Sequence, residues 1–109
     1  MFKVVNNPEF THDVTVNVPV DGGHEEQTFK ARFRVLAEKE LIKIDHDNEH
    51  GTADLLKTLI VGMEDLIGED EKPLPYNDAL RDQMLAVGYV RVALIKTYRE
   101  AVTKARVGN

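Results

Sequence analysis

TADLLKTLIVGMEDLIGEDEKPLPYNDAL, Thr52 to Leu80, is the stretch around which the rest of the chain is arranged. Leu55, Leu56, Leu59, Ile60 and Met63 recur at the spacing of one apolar helix face, and Leu66 and Ile67 extend it by a turn. Gly68 and the charges from Glu69 to Lys72 end that face. Pro73 and Pro75 then forbid helix, because proline lacks an amide donor and restricts the residue before it. Asn77 is placed as the N-cap of a following helix, with Asp78 favourable at its positive end. The stretch predicts a helix, a polar elbow and a capped helix, a packing unit that carries no chemistry by itself.

Working outward toward the N-terminus, Val14, Val16, Val18 and Val20 alternate with Thr15, Asn17 and Pro19, the period-two signature of a strand with one buried face. Pro19 cannot donate to a ladder, which makes this strand an edge or ends its pairing there. Asp21-Gly22-Gly23 is a hairpin turn signal. On the return strand Phe29, Ala31, Phe33 and Val35 fall on one face, and Lys30, Arg32 and Arg34 on the other. Residues 1–11, with Pro8, offer few anchors and are expected to be a loose terminus. A short helix is expected from Glu38 to about Asp45, with Leu41, Ile42 and Ile44 apolar, then a polar connection and Thr52 as N-cap of the central helix. The last helix is expected over about Tyr89–Ala105, Val92, Ile95, Tyr98 and Val102 forming its apolar stripe, widened by Leu94 and Ala101. Gly88 marks a break before it. The fold class is therefore α+β: an N-terminal β-hairpin packed on a bundle of three to four α-helices. One domain is expected over residues 1–109, divided into the loose segment 1–11, the hairpin 12–36 and a helical part 37–106.

Composition narrows the function. With 42% hydrophobic and 30% charged residues the 109-residue chain reads as soluble and globular, with room for one modest core. It holds no run of about 18 apolar residues that would span a membrane, and its start, MFKVVNNPEF, lacks a secretory apolar core. The net charge of −5 disfavours nucleic acid, whose phosphates call for a basic face. Neither cysteine nor serine is present, which removes those nucleophiles and every thiolate metal site. Gly22-Gly23 is a turn and not a phosphate cradle. Asp45, Asp47 and Glu49 imitate the first ligands of a calcium loop, but His50 and Leu56 stand where that loop needs glycine and a bidentate acid. Adding His46 and His50 matches no structural zinc spacing, so a solvated loop is favoured. The acidic group Glu64, Asp65, Glu69, Asp70 and Glu71 reads as a wet elbow. The Lys30, Arg32, Arg34 stripe reads as protection of an exposed strand or as a contact for an acidic partner. His12 and His24 read as surface residues, and Tyr89 and Tyr98 as packing residues with polar tips. No cofactor, metal or catalytic residue is expected.

The order of four segments goes further. Phe29-Lys30-Ala31-Arg32-Phe33-Arg34-Val35-Leu36, then Leu59-Ile60-Val61-Gly62-Met63-Glu64-Asp65-Leu66, then Lys72-Pro73-Leu74-Pro75-Tyr76-Asn77, and finally the helix Tyr89 to Tyr98 resemble the tail assembly chaperones of long, flexible-tailed bacteriophages. In that family a phenylalanine-bearing strand precedes a valine-glycine-tryptophan turn, an acidic loop, a proline-leucine-proline-phenylalanine segment and a tyrosine-containing last helix. The likeness covers about residues 28–100 and lies in order and spacing. Met63 stands in place of the tryptophan, Tyr76 in place of the phenylalanine, and Glu71 or Lys72 where a loop glycine is common. The resemblance implies a non-enzymatic role: such proteins coat the tape measure protein, help recruit the major tail tube protein, and act in the host cell cytoplasm. They are often made in two lengths through a translational frameshift. The apolar residues left over from the core, Leu66, Ile67, Leu74 and Tyr76 with parts of the last helix, are the expected contact surface. The competing expectation is a self-assembling tail or head–tail component, joined through the exposed strand Val14–Val20, and homo-oligomerisation is left open.

Overall fold

The computed structural model of the protein describes residues 1–40 and 51–103. In chain order it contains strands β1 (Glu9–Val20) and β2 (Gly23–Arg34), helix α1 (Gly51–Leu59), strand β3 (Ile60–Glu64), and helices α2 (Asp78–Leu85) and α3 (Gly88–Thr103). The α+β class holds. The sheet, however, has three antiparallel strands in the order β1-β2-β3, one more than the hairpin alone.

The hairpin closes on the pair Val20↔Gly23, leaving a two-residue loop, Asp21-Gly22. Gly22 takes the left-handed backbone, with φ 81°, which a side chain would resist. Val14, Val16, Phe29, Ala31 and Phe33 are buried on the inner face, as the alternation predicted. Val18 is only partly buried, and Val20 beside the turn and Val35 beyond the end of β2 at Arg34 lie on the surface. At the other end β1 begins at Glu9, inside the segment expected to be loose. Phe10 pairs with Phe33, its ring centroid 5.4 Å from that of Phe33 and 6.1 Å from that of Tyr98. Phe10 thereby anchors the start of the strand on the aromatic part of the core.

The central helix stops at Leu59, and Ile60–Glu64, read from the sequence as helix, is strand β3 on the free side of β2. Its pairs are Lys30↔Glu64, Ala31↔Met63, Arg32↔Gly62 and Phe33↔Ile60, with a bulge at the Arg32/Phe33 step that leaves Val61 as the extra residue. In a regular strand Ile60 and Met63 would point to opposite faces. The inserted residue turns both inward, and they are 3% and 5% exposed. Thr52 lies inside α1, which already includes Gly51, and so is not its N-cap. The helix expected over Glu38–Asp45 is helical at Glu38–Glu40, and the remainder, with Leu41, Ile42 and Ile44, lies outside the described residues.

The helices cover the inner face of the sheet. Leu55, Leu56 and Leu59 of α1, Leu85 of α2 and Ala93, Leu94 and Tyr98 of α3 complete the core. On α3 the stripe is rotated from the expected one: Leu94 is fully buried, whereas Val92 and Val102 face outward. The Tyr98 hydroxyl accepts from the Leu36 amide at 3.3 Å, which ties α3 to the chain leaving β2. The Arg91 guanidinium donates to the Leu85 carbonyl at 2.6 Å, satisfying one of the orphan acceptors at the end of α2.

The outer face of the sheet is polar. Lys30 lies 3.9 Å from Asp13, and Arg32 3.0 Å from Glu9, in cross-strand pairs exposed to water. Over Lys30–Phe33 the strand that carries this stripe is flanked on both sides, so the stripe guards no open edge there. Such exposed pairs are worth about 0–1 kcal/mol each.

Candidate functional site

The four residues expected at the contact surface all lie on or beside one loop. After β3, Asp65 takes a left-handed backbone with φ 63°, and the chain folds into a small closed elbow. Leu74 N–H donates to the Leu66 carbonyl at 2.8 Å, and Gly68 N–H to the Lys72 carbonyl at 2.9 Å. Between these bonds Ile67 faces Pro73 in an antiparallel bridge. Pro73 is admitted because the pair it joins needs no amide from it; the bonds run from the residues on either side. The tip is held twice more: Glu71 N–H donates to the Gly68 carbonyl, and the Asp70 carboxylate accepts from Lys72 N–H at 3.0 Å. A Cβ on residue 68 would stand 3.1 Å from that carboxylate oxygen, so glycine gives the cap its room.

This frame divides the four residues. Ile67 is 62% exposed and Leu74 40%, while Leu66 and Tyr76 are half-buried and pack on the core. In a two-stranded ladder neighbouring pairs face opposite ways, so Ile67 with Pro73 and Leu66 with Leu74 occupy opposite faces of the elbow. Glu64, Asp65, Glu69, Asp70 and Glu71 surround it, all exposed. Leu66 and Tyr76 therefore anchor the loop, and Ile67 and Leu74 are what it presents.

Beyond the elbow, Asn77 performs its predicted task, its side-chain oxygen accepting from Leu80 N–H at 2.8 Å. Tyr76 is tied to α2 through Arg81, which lies 3.6 Å from Asp78 and 3.0 Å from Asp82. Burial raises the Tyr76 phenol above its ordinary value; Arg81 pulls it down and the two carboxylates push it up. Burial works to lower Arg81, but Asp82 and Asp78 outweigh it and hold the guanidinium above its ordinary value.

Sequence reasoning missed two features. Tyr89 and Val92 stand exposed on α3 and add an apolar ridge to the surface. A signal was present: Val90, Ala93, Leu94, Thr97, Tyr98 and Ala101 follow the i, i+3, i+4, i+7, i+8, i+11 pattern, and choosing that face would have put Val92 outside. The second is an open cleft of about 760 Å³ between β1 and α3, lined by Phe10, Thr11, Asp13, Thr15, Thr97 and Ala101 among others. The calcium-like residues Asp45, His46, Asp47, Glu49 and His50 lie outside the described residues. Among the described residues no helix is long and apolar enough to cross a membrane.

No protein-family model matches the chain, and no curated protein or solved structure does so either.

Proposed function

We propose that this protein is a non-enzymatic binding module of the tail assembly chaperone kind, which covers an amphipathic helical stretch of the tape measure protein and assists tail tube assembly in the host cell cytoplasm. The observation that carries the reading is the elbow: a loop fixed by four hydrogen bonds that holds Ile67 and Leu74 out in water. Ile67 and Leu74 stand on opposite faces of this frame, and burying either against a partner relieves an exposure that is unfavourable in the free protein. A long helical partner offers the complement, an apolar stripe. The surrounding carboxylates and the net charge of −5 keep the module soluble while that surface is bare. The partner's identity rests on the order of the Phe29–Leu36, Leu59–Leu66, Lys72–Asn77 and Tyr89–Tyr98 segments.

The test is co-expression of the chain with a tape measure protein encoded beside it, followed by co-purification. Ile67→Asp and Leu74→Asp are expected to cut recovery of the partner at least tenfold while leaving the far-UV circular dichroism unchanged. Tyr76 is unsuited to this test, since an aspartate there would lose core packing and join Asp78 and Asp82. Undiminished capture by a folded Ile67→Asp, Leu74→Asp double variant would refute the surface. Absence of capture by the wild-type chain would refute the function.

A further inference from the structure

The cleft between β1 and α3 runs beside a strand edge that no other strand joins among the described residues. The hairpin fixes which backbone groups face it. A two-residue loop is closed by a hydrogen-bonded pair, here Val20↔Gly23, so the even-numbered residues of β1 bond to β2. The amide of Val35 donating to the Pro8 carbonyl at 3.0 Å has the same parity. The odd-numbered residues therefore turn their N–H and C=O outward. Thr11, Asp13 and Thr15, the three odd residues in the middle of the strand, all line the cleft, and α3 forms the opposite wall. One edge acceptor is engaged, the Asp13 carbonyl, which is 2.7 Å from the His12 ring nitrogen. A strand edge facing a helix across an open slot is the arrangement that accepts an extended peptide as an added strand.

The same molecule carries a segment of matching character. Met1-Phe2-Lys3-Val4-Val5 is rich in strand-forming residues, and Phe2 is 89% and Val4 83% exposed. A bend at Asn6-Asn7, with Asn7 at φ 55°, leads the segment off the line of β1. It cannot serve its own cleft. A tight turn at Asn6-Asn7 would have to close Val5 against Pro8, whose carbonyl already serves Val35 and which has no amide. Carried on, that register pairs Val4 with Glu9 and Phe2 with Thr11, leaving Asp13 and Thr15 beyond the reach of both side chains.

We propose that the cleft takes the Met1–Val5 arm of a second copy of this chain, added as a strand to the β1 edge. The lengths agree: Thr11 to Thr15 and Met1 to Val5 are each four residue steps, about 13 Å. The chemistry agrees as well. With Phe2 and Val4 turned inward, they meet Phe10, Ala93 and Ala101. Lys3 then lies on the outer, polar side, beside the Asp13–Lys30 and Glu9–Arg32 pairs and exposed to water. The arm displaces the His12 ring from the Asp13 carbonyl as it docks.

Sedimentation velocity across a hundredfold concentration range tests this. The wild-type chain is expected to shift from monomer to a species of at least twice the mass. A chain beginning at Asn6 lacks the arm, and Thr15→Pro removes an outward amide without touching the β1–β2 ladder, as Pro19 already does at the same parity. Each is expected to stay monomeric with wild-type circular dichroism, and an equimolar mixture of the two to form a heterodimer, since one retains the cleft and the other the arm. If Thr15→Pro does not fold, Ala101→Trp fills the cleft from the helix side in its place. A wild-type chain that remains monomeric throughout overturns the proposal. So does an arm-deleted chain that associates as the wild type does, or a mixture of folded variants that gives no complex. Leu74→Asp, which disables the elbow, is expected to leave this association unchanged, so the two surfaces are tested separately.

Discussion

Phe10→Ala tests whether the strand truly begins before the valine alternation. Phe10 is half-buried, and its ring bridges β1 to Phe33 on β2 and to Tyr98 on α3. Truncating a fully buried phenylalanine to alanine costs about 3–5 kcal/mol. Half of that burial gives about 2 kcal/mol, within which each aromatic pair accounts for roughly 0.5–1.5 kcal/mol. A domain of this size is stable by only about 5–15 kcal/mol, so the loss is measurable. Urea unfolding followed by circular dichroism should show a lower midpoint at an unchanged slope, because the surface exposed on unfolding is nearly the same. A double-mutant cycle with Tyr98→Leu should return a coupling of about 1 kcal/mol, as expected for side chains in contact. A Phe10→Ala cost below about 0.5 kcal/mol, within the range of ordinary surface substitutions, would show that residues 9–11 do not belong to the folded sheet. It would also remove the floor of the cleft.

Two further outcomes follow from the elbow and its exit. Asn77→Ala removes the acceptor for Leu80 N–H and should cost about 1 kcal/mol in urea unfolding; an unchanged midpoint would mean that α2 is capped otherwise. Because Tyr76 is raised in the folded chain, its contribution is fully present below the ordinary tyrosine value of 10.0 and is lost as pH rises through the higher folded value. Unfolding midpoints should therefore fall above pH 10 in the wild type and fall less in Tyr76→Phe; equal declines would place the phenol in water.

The hairpin, the Asn77 cap and the boundary at Gly88 were legible because each depends on neighbours in sequence: alternation, a side chain reaching three residues on, a residue that prefers chain ends. Strand β3 was not. Ile60 and Met63 stand three apart, the spacing of a helix face, and the bulge at Val61 gives a strand the same spacing. Only the vacant side of β2, brought near by the hairpin, decides between the two readings, and that is tertiary information. The α3 stripe was misread for a different reason. Ala93 and Thr97 mark the buried side weakly, while Val92 and Val102 look like core and are left outside. Hydrophobicity located the helix but not its rotation. The elbow residues were found together because the two prolines set the loop, yet which of them face water depended on bonds between Leu66 and Leu74 that no local pattern encodes.

The unequal treatment of the sheet's edges bears on both proposals. β3 pairs with β2 only over Lys30–Phe33, so among the described residues the far half of the hairpin has no third strand. By the hairpin's parity His24, Glu26 and Thr28 turn their backbones to the free side of β2, and Pro19 does so on β1 with no amide to offer. Charge and proline are the usual means of keeping such edges from pairing with other chains. Over Thr11–Thr15 the sequence uses no proline, and in its place α3 stands across an open slot. A helix packed flush against the edge would have blocked pairing, and a bare edge would have accepted any strand. The slot is walled by Ala93, Lys96, Thr97, Glu100 and Ala101 on one side and by outward amides on the other, so a strand that enters it meets small apolar side chains flanked by charge.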